Sequence, residues 1–199
     1  MPGFFVTLEG IDRSGKSTQV ALLADALGDD AVAVREPGGT AAGERVRDIL
    51  KDPGVQLSAE GEALLFAAAR AELVRQVIRP ALESGRTVVC DRFLDSSLAY
   101  QGVARGLGVE AVAALNATAV GGLVPDVTVL LELDTAAAGT RDAEDDRFER
   151  EGDALQRAVA QAYGALADAE PGRFVRVDAG RDPQAVHADV LAAVRGAGR

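Results

Sequence analysis

Cysteine, histidine and lysine are scarce in this 199-residue sequence: Cys90 and His187 are the only ones of their kind, and Lys16 and Lys51 are the only lysines. One cysteine excludes an internal disulfide framework and a cysteine-rich zinc site. Cys90 ends the apolar run Thr87-Val88-Val89-Cys90, which reads as a buried, inert thiol. A lone histidine among helix-spaced residues near the C-terminus reads as a surface residue and leaves Ser–His and Cys–His catalysis little to work with. No apolar run is long enough to cross a bilayer, and the N-terminus enters a strand without a basic region, an apolar signal core or a cleavage site. A cytoplasmic protein with no membrane partner is expected. Because lysine is scarce, nearly every cation is an arginine, the side chain suited to bidentate phosphate contacts, although a GC-rich compositional bias accounts for arginine numbers on its own. The net charge of −10 argues against non-specific nucleic-acid binding, so any phosphate-binding surface must be a local concentration of arginine.

With 48% hydrophobic residues and no linker, repeat or low-complexity tract, residues 1–199 read as one domain with a full core. Short apolar runs at Phe4–Leu8, Ala31–Val34, Thr87–Cys90, Val127–Leu133 and Phe174–Val177 lack alternation, as expected of strands covered on both faces. Helical patterns lie between them at Lys16–Leu27, Glu62–Leu82, Ala111–Val120, Leu155–Leu166 and Val186–Val194, with Pro80 placed to bend or end the second. The order predicts an α/β fold of three layers, a five-stranded parallel sheet flanked by helices, with ligands at the carboxyl ends of the strands. Residues 135–152, charged from Thr140 onward and lacking an apolar stripe there, are the candidate lid.

Gly10-Ile11-Asp12-Arg13-Ser14-Gly15-Lys16-Ser17 matches G-x-x-x-x-G-K-[ST] and sits between the first strand and a helix with apolar Val20, Leu23, Ala24 and Leu27. Small residues let successive backbone N–H groups point at phosphate oxygens, and the helix adds the positive end of its dipole. Lys16 then reaches the β and γ phosphates, and Ser17 is placed to ligate Mg²⁺. A glycine-rich turn with a solvated lysine does not explain the Lys-Ser pair.

Four more constellations fall at or near the same sheet edge. Asp91 follows the third strand, near where Mg²⁺ would sit, and the adjacent Arg92 suggests a second phosphate being held; a structural Asp–Arg pair is the bland alternative. Arg35-Glu36-Pro37-Gly38-Gly39-Thr40 follows the second strand as a turn that offers a phosphate donor and a polar acceptor. Phe66 and Arg70, four apart on a helix, could stack and hydrogen-bond a base, although residue type alone favours a core phenylalanine with an exposed arginine. Asp95-Ser96-Ser97-Leu98-Ala99-Tyr100-Gln101-Gly102 can read base and sugar edges, or can cap a helix.

Together with Asp146-Arg147-Phe148-Glu149, and in this order, these motifs resemble the thymidylate kinase family over most of the chain. The resemblance implies transfer of the ATP γ-phosphoryl group to dTMP with Mg²⁺, by a homodimer. Gly10, Ile11, Asp12, Arg13, Ser14, Gly15, Lys16, Ser17 and Thr18 would hold ATP. Phe66 would stack on thymine, Arg70 would bond its O4, Ser97 and Gln101 would face the base edge, and Pro37 would pack by the methyl group. Tyr100 would lie near C2′, Asp12 would approach the 3′-hydroxyl, and Glu36 would belong to the acceptor site. Arg92, with Arg35 or Arg45, would hold the acceptor phosphate, while Ser17 and Asp91 would belong to the Mg²⁺ shell. Phe93 stands where the family often has tyrosine. The arginine that stabilises the transferred group is Arg13 on the loop, Arg141 in the lid, or Arg147; Arg13 is the first choice because its loop is preorganised, and Lys16 and Arg92 complete the catalytic set. Two rivals remain open on the sequence: a small P-loop kinase for another nucleotide or nucleoside, and an ATP-dependent switch or partition-type ATPase.

Overall fold

The computed structural model describes residues 3–140, 147–148 and 152–198. Its sheet comprises β1 (Phe4–Glu9), β2 (Ala31–Arg35), β3 (Thr87–Asp91), β4 (Val127–Glu132) and β5 (Phe174–Asp178), ordered β2-β3-β1-β4-β5 with every neighbouring pair parallel. The register sets Leu8 beside Asp91, and Asp91 beside Arg35, so three chain exits leave one edge together. Helices follow the strands: α1 (Lys16–Leu27), α2 (Ala41–Lys51), α3 (Ala59–Leu73), α4 (Arg79–Glu83), α5 (Leu94–Ser97), α6 (Val109–Val120), α7 (Thr135–Gly139), α8 (Gly152–Ala169) and α9 (Pro183–Gly196).

Successive strand residues face opposite layers. Phe4, Val6 and Leu8 pack with Val20 and Leu23 of α1 and Val186, Val190 and Val194 of α9. On the other face Phe5, Val88 and Cys90 meet Leu73, Ile78 and Phe93. That face of β1 then turns polar: Thr7 bonds Thr128 through their hydroxyls, and Glu9 is fully buried. Cys90 is a buried free thiol, as its apolar run suggests.

Three sequence expectations are corrected. The edge strand β2 alternates half-buried with exposed residues and β5 is partly exposed, because neither has a neighbour on its outer side. The helix expected at 62–82 spans 59–83 and does not end at Pro80; a π-helical turn, Val74–Ile78, precedes the proline and the chain stays helical to Glu83. The wider turn lets the carbonyls ahead of the proline reach other donors. Helix α2 was not anticipated; the 95–102 segment, for which a helix cap was one of the two alternatives, is helical, with α5 running into a π-helical turn at Leu98–Ala104. Residues 141–146 and 149–151 of the expected lid, with Arg141, Asp146 and Glu149, lie outside the described residues.

Candidate active site

The loop after β1 depends on its glycines. Gly10 has φ +145°, and a Cβ there would lie 2.6 Å from the Leu131 carbonyl oxygen. Gly15, at φ 94°, starts α1 with no side-chain cap and no acidic residue in the first turn, so the leading N–H groups of the helix remain open to an anion. Lys16 is buried, and its Nζ donates to the carbonyls of Gly10 (3.2 Å) and Ile11 (2.6 Å) and to Ser14 Oγ (3.3 Å). Burial, then the Arg92 charge, bring its pKa down to about 8. Ser17 Oγ donates to Asp91 Oδ2 at 2.7 Å, which brings the two expected metal residues together. Among the described residues no group of three or more His, Cys, Asp or Glu side chains could hold a metal. One hydroxyl and one carboxylate suit a hard cation that keeps its other positions for phosphate oxygens and water.

Arg92 joins this loop to the rest of the edge. Its backbone is left-handed (φ 69°), and its Nη1 donates to the Gly10 carbonyl at 3.0 Å while Nη2 meets Asp12 Oδ1 at 2.5 Å. Asp12 Oδ2 also accepts from Tyr100 (3.0 Å) and from Gln156 of α8 (2.6 Å). Burial pushes the Asp12 carboxyl up, but Arg92 and Lys16 outweigh it and hold the group below the usual carboxylate range. Burial likewise opposes the Arg92 charge, and Tyr100, Asp12, Tyr163 and Asp91 more than offset that.

Sequence reasoning missed Glu9. Its Oε1 accepts from Phe93 N at 2.7 Å and its Oε2 accepts from Ser96 and Tyr163, at 2.6 and 2.7 Å. Burial and the nearby Asp95 push its carboxyl up to about 7. A carboxylate ending an apolar strand was the available signal; Tyr163, 154 residues away, gave none.

A cavity of about 140 Å³ opens beside Arg92 and Asp12. Glu36, Pro37, Phe66, Ser97, Tyr100 and Gln101 all line it, together with Arg47, Lys51 and Phe148, which were not expected there. Arg45 is exposed and does not line it; Arg47, two residues on and turned inward on α2, does, with its Nη1 donating to the Pro37 carbonyl at 3.0 Å. Arg35 is bound to the Glu44 carboxylate at 2.9 Å. Phe148 meets Phe66 and Tyr100 edge-on, with ring centroids 6.0 and 6.4 Å apart. Arg147 bonds Glu62 at 2.7 Å and the Leu50 carbonyl at 2.9 Å, which holds it on the outer side of this cavity.

The sequence preference for an exposed arginine at position 70 is overturned: Arg70 is 1% exposed. Its Nε and Nη2 bind the Glu36 carboxylate and Nη2 also reaches the Phe93 carbonyl, while Nη1 donates to Ser97 Oγ and Asn116 Oδ1. All five guanidinium N–H groups are thereby engaged, which is what makes the burial tolerable. Burial pushes the Glu36 carboxyl up, and Arg70 opposes it. On the other side of the loop a second cavity of about 310 Å³ is lined by Gly15, Thr18, Arg181 and Pro183.

The family model described as thymidylate kinase matches residues 8–190. A thymidylate kinase of Deinococcus radiodurans is 47% identical over 198 residues, covering 96% of each chain. One from Pelotomaculum thermopropionicum is 47% identical over 201 residues, covering 97% of this chain and 93% of its own. The crystal structure of thymidylate kinase from Ehrlichia chaffeensis superposes with a TM-score of 0.79 at 32% identity, covering 96% of this chain and 98% of that one. The uncapped loop, the Ser17–Asp91 pair and the Arg92–Asp12 junction thus stand in a chain matched along almost its whole length, and the chain belongs to the thymidylate kinase family.

Proposed function

We propose that this protein transfers the γ-phosphoryl group of ATP to dTMP, giving dTDP and ADP, with Mg²⁺. The observation that carries the reading is the Arg92–Asp12 pair, because Arg92 bonds the Gly10 carbonyl of the loop while both side chains line the cavity. Donor and acceptor sites therefore share a wall, as an in-line transfer between two phosphates requires. The Gly10–Thr18 loop holds the triphosphate and Lys16 turns from its loop carbonyls to the β and γ phosphates. The adenosine extends toward the Thr18–Arg181 cavity. Mg²⁺, held by Ser17 and Asp91 directly or through water, supplies charge neutralisation. Arg92 meets the acceptor phosphate, with Arg47 as the second cation on that wall in place of Arg35 or Arg45. Phe66 stacks the base, Pro37 borders its methyl group, Tyr100 stands by C2′ and Asp12 turns to the 3′-hydroxyl. Arg13 stabilises the charge that spreads over the transferred group, and the lid of residues 135–152 excludes water.

The 1–199 chain acts as one unit in the cytoplasm and as a homodimer. Exposed Ile49 on α2 and Leu64 on α3, two helices packed against each other, support the dimer. The test is ADP formation from ATP and Mg²⁺ with and without dTMP. ADP and dTDP are expected to appear one for one and only with the acceptor present. ADP released equally well without dTMP would contradict the reading and favour an ATP-dependent switch.

A further inference from the structure

Glu9 ends β1 fully buried, yet among the described residues no guanidinium or ammonium bonds it: its partners are the Phe93 N–H and the Ser96 and Tyr163 hydroxyls. A buried carboxylate needs a compensating charge. One reaches it at a single remove, because Arg92 Nη1 donates to Ser96 Oγ at 3.2 Å and to Tyr163 Oη at 3.3 Å. A guanidinium can only donate, so neither hydroxyl directs its proton at Nη1. The two oxygens lie 2.8 Å apart and can share one proton between them at most, so at least one proton ends on Glu9 Oε2, 2.6 Å from Ser96 and 2.7 Å from Tyr163. Burial, then the Glu9 charge, push the Tyr163 hydroxyl up, which keeps it protonated. The other oxygen of Glu9 acts on the backbone. Arg92 has φ 69°, a left-handed conformation that an arginine keeps only where its neighbours hold it. Its N–H donates to the Leu8 carbonyl at 3.0 Å, its carbonyl accepts from Cys90 Sγ at 3.0 Å, and the next N–H, of Phe93, donates to Glu9 Oε1 at 2.7 Å. Nη1 thereby faces back toward the loop and the hydroxyls, while Nη2 faces Asp12 and Tyr100, which line the cavity.

We propose that Glu9 is a positioning residue for the acceptor phosphate: one oxygen pins the left-handed backbone of Arg92, and the other turns the Ser96 and Tyr163 lone pairs toward Nη1, so that Nη2 is presented to the cavity. Only a carboxylate meets both demands. An amide of the same shape has a single acceptor end. With its oxygen on Phe93, its nitrogen would donate to the two hydroxyls and drive their protons toward Nη1; turned over, it would set a donor against the Phe93 N–H. This inference rests on the proposed function, in which Arg92 meets the phosphate of the acceptor.

The test compares Glu9→Gln with the parent in the Kd of dTMP, the Kd of thymidine, which shares base and sugar and lacks the phosphate, and the KM for ATP. Measurement at pH 8 keeps the parent carboxyl ionised, since burial and Asp95 push it up to about 7. The Kd of dTMP is expected to rise at least about tenfold, as for a lost hydrogen bond to a charged group. The Kd of thymidine and the KM for ATP are expected to keep their parent values. An unchanged Kd for dTMP would overturn the proposal. So would an equal weakening of thymidine, because a merely structural defect spreads over the whole cavity. Tyr163→Phe keeps Glu9 and its bond to Phe93 and removes one of the two hydroxyls, so it carries the test where Glu9→Gln does not fold. It is expected to weaken dTMP by about threefold and thymidine not at all; dTMP bound as tightly as by the parent would overturn the role of the hydroxyls. A parent that does not phosphorylate dTMP would defeat the proposed function. A parent that does, with both variants binding dTMP as it does, would defeat only this inference.

Discussion

Lys16 is held where its charge is least comfortable. Its pKa falls from 10.5 to about 8, which by linkage costs the folded state about 3 kcal/mol at pH 7. Between pH 8 and 10.5 the unfolded chain binds the proton that the folded one has lost, so stability rises with pH through that window. Lys16→Met is expected to unfold at a higher temperature than the parent at pH 7, to lose that rise, and to abolish turnover; thermal melts across pH check the sign. Arg13 is similarly retained against local preference, at φ 62° in a region that favours glycine. Arg13→Gly is expected to raise stability by about 1 kcal/mol while turnover falls roughly 10³-fold or more. Survival of turnover in that variant, with collapse in Arg141→Ala, would move the role to the lid. Lys16 was legible from the loop pattern, which carries its own chemistry, whereas Arg13 stands at a variable position of that pattern and drew its proposed role from the family resemblance. Glu9, Tyr163, Gln156 and Arg47 were not: each matters through partners that are remote in sequence or through the facing of one helix, and neither is written in local spacing.

Helix α2 is anchored at its first turn, away from the cavity wall that it builds. Thr40 caps α2, its hydroxyl accepting from Gly43 N at 3.0 Å, and α2 brings Arg47 and Lys51 to the cavity wall. Thr40→Ala is expected to cost about 1 kcal/mol of stability and to raise KM for dTMP severalfold while leaving KM for ATP unchanged. Chemical denaturation with steady-state kinetics checks both halves. The strands and α1 were readable because an apolar run or a 3.6-residue stripe is a local signal. Helix α2, which follows the Arg35–Thr40 turn, went unread although Val46, Ile49 and Leu50 carry such a stripe. The π-helical turns at 74–78 and 98–104 had no local signature, since packing against neighbouring elements sets them.

At the scale of the molecule, Arg47 and Arg92 of the acidic chain line the acceptor cavity, and the exposed Ile49 and Leu64 lie on the packed helices α2 and α3. Leu64 is 57% exposed on α3, a large side chain for a solvated position. Sedimentation is expected to give twice the 20.5 kDa chain mass, and Leu64→Glu to shift it toward one chain. A parent that sediments as a single chain would remove the dimer from the account. The parallel sheet and its functional edge follow from the alternation of strand and helix, and so were readable before any side chain was placed. The central claim is that this edge joins an ATP site to a dTMP site, and the most direct measurement is kcat/KM with ATP and Mg²⁺ across dTMP, dUMP, dCMP, UMP, CMP and thymidine. The account predicts the highest value for dTMP. Preference for UMP, CMP or thymidine would contradict it.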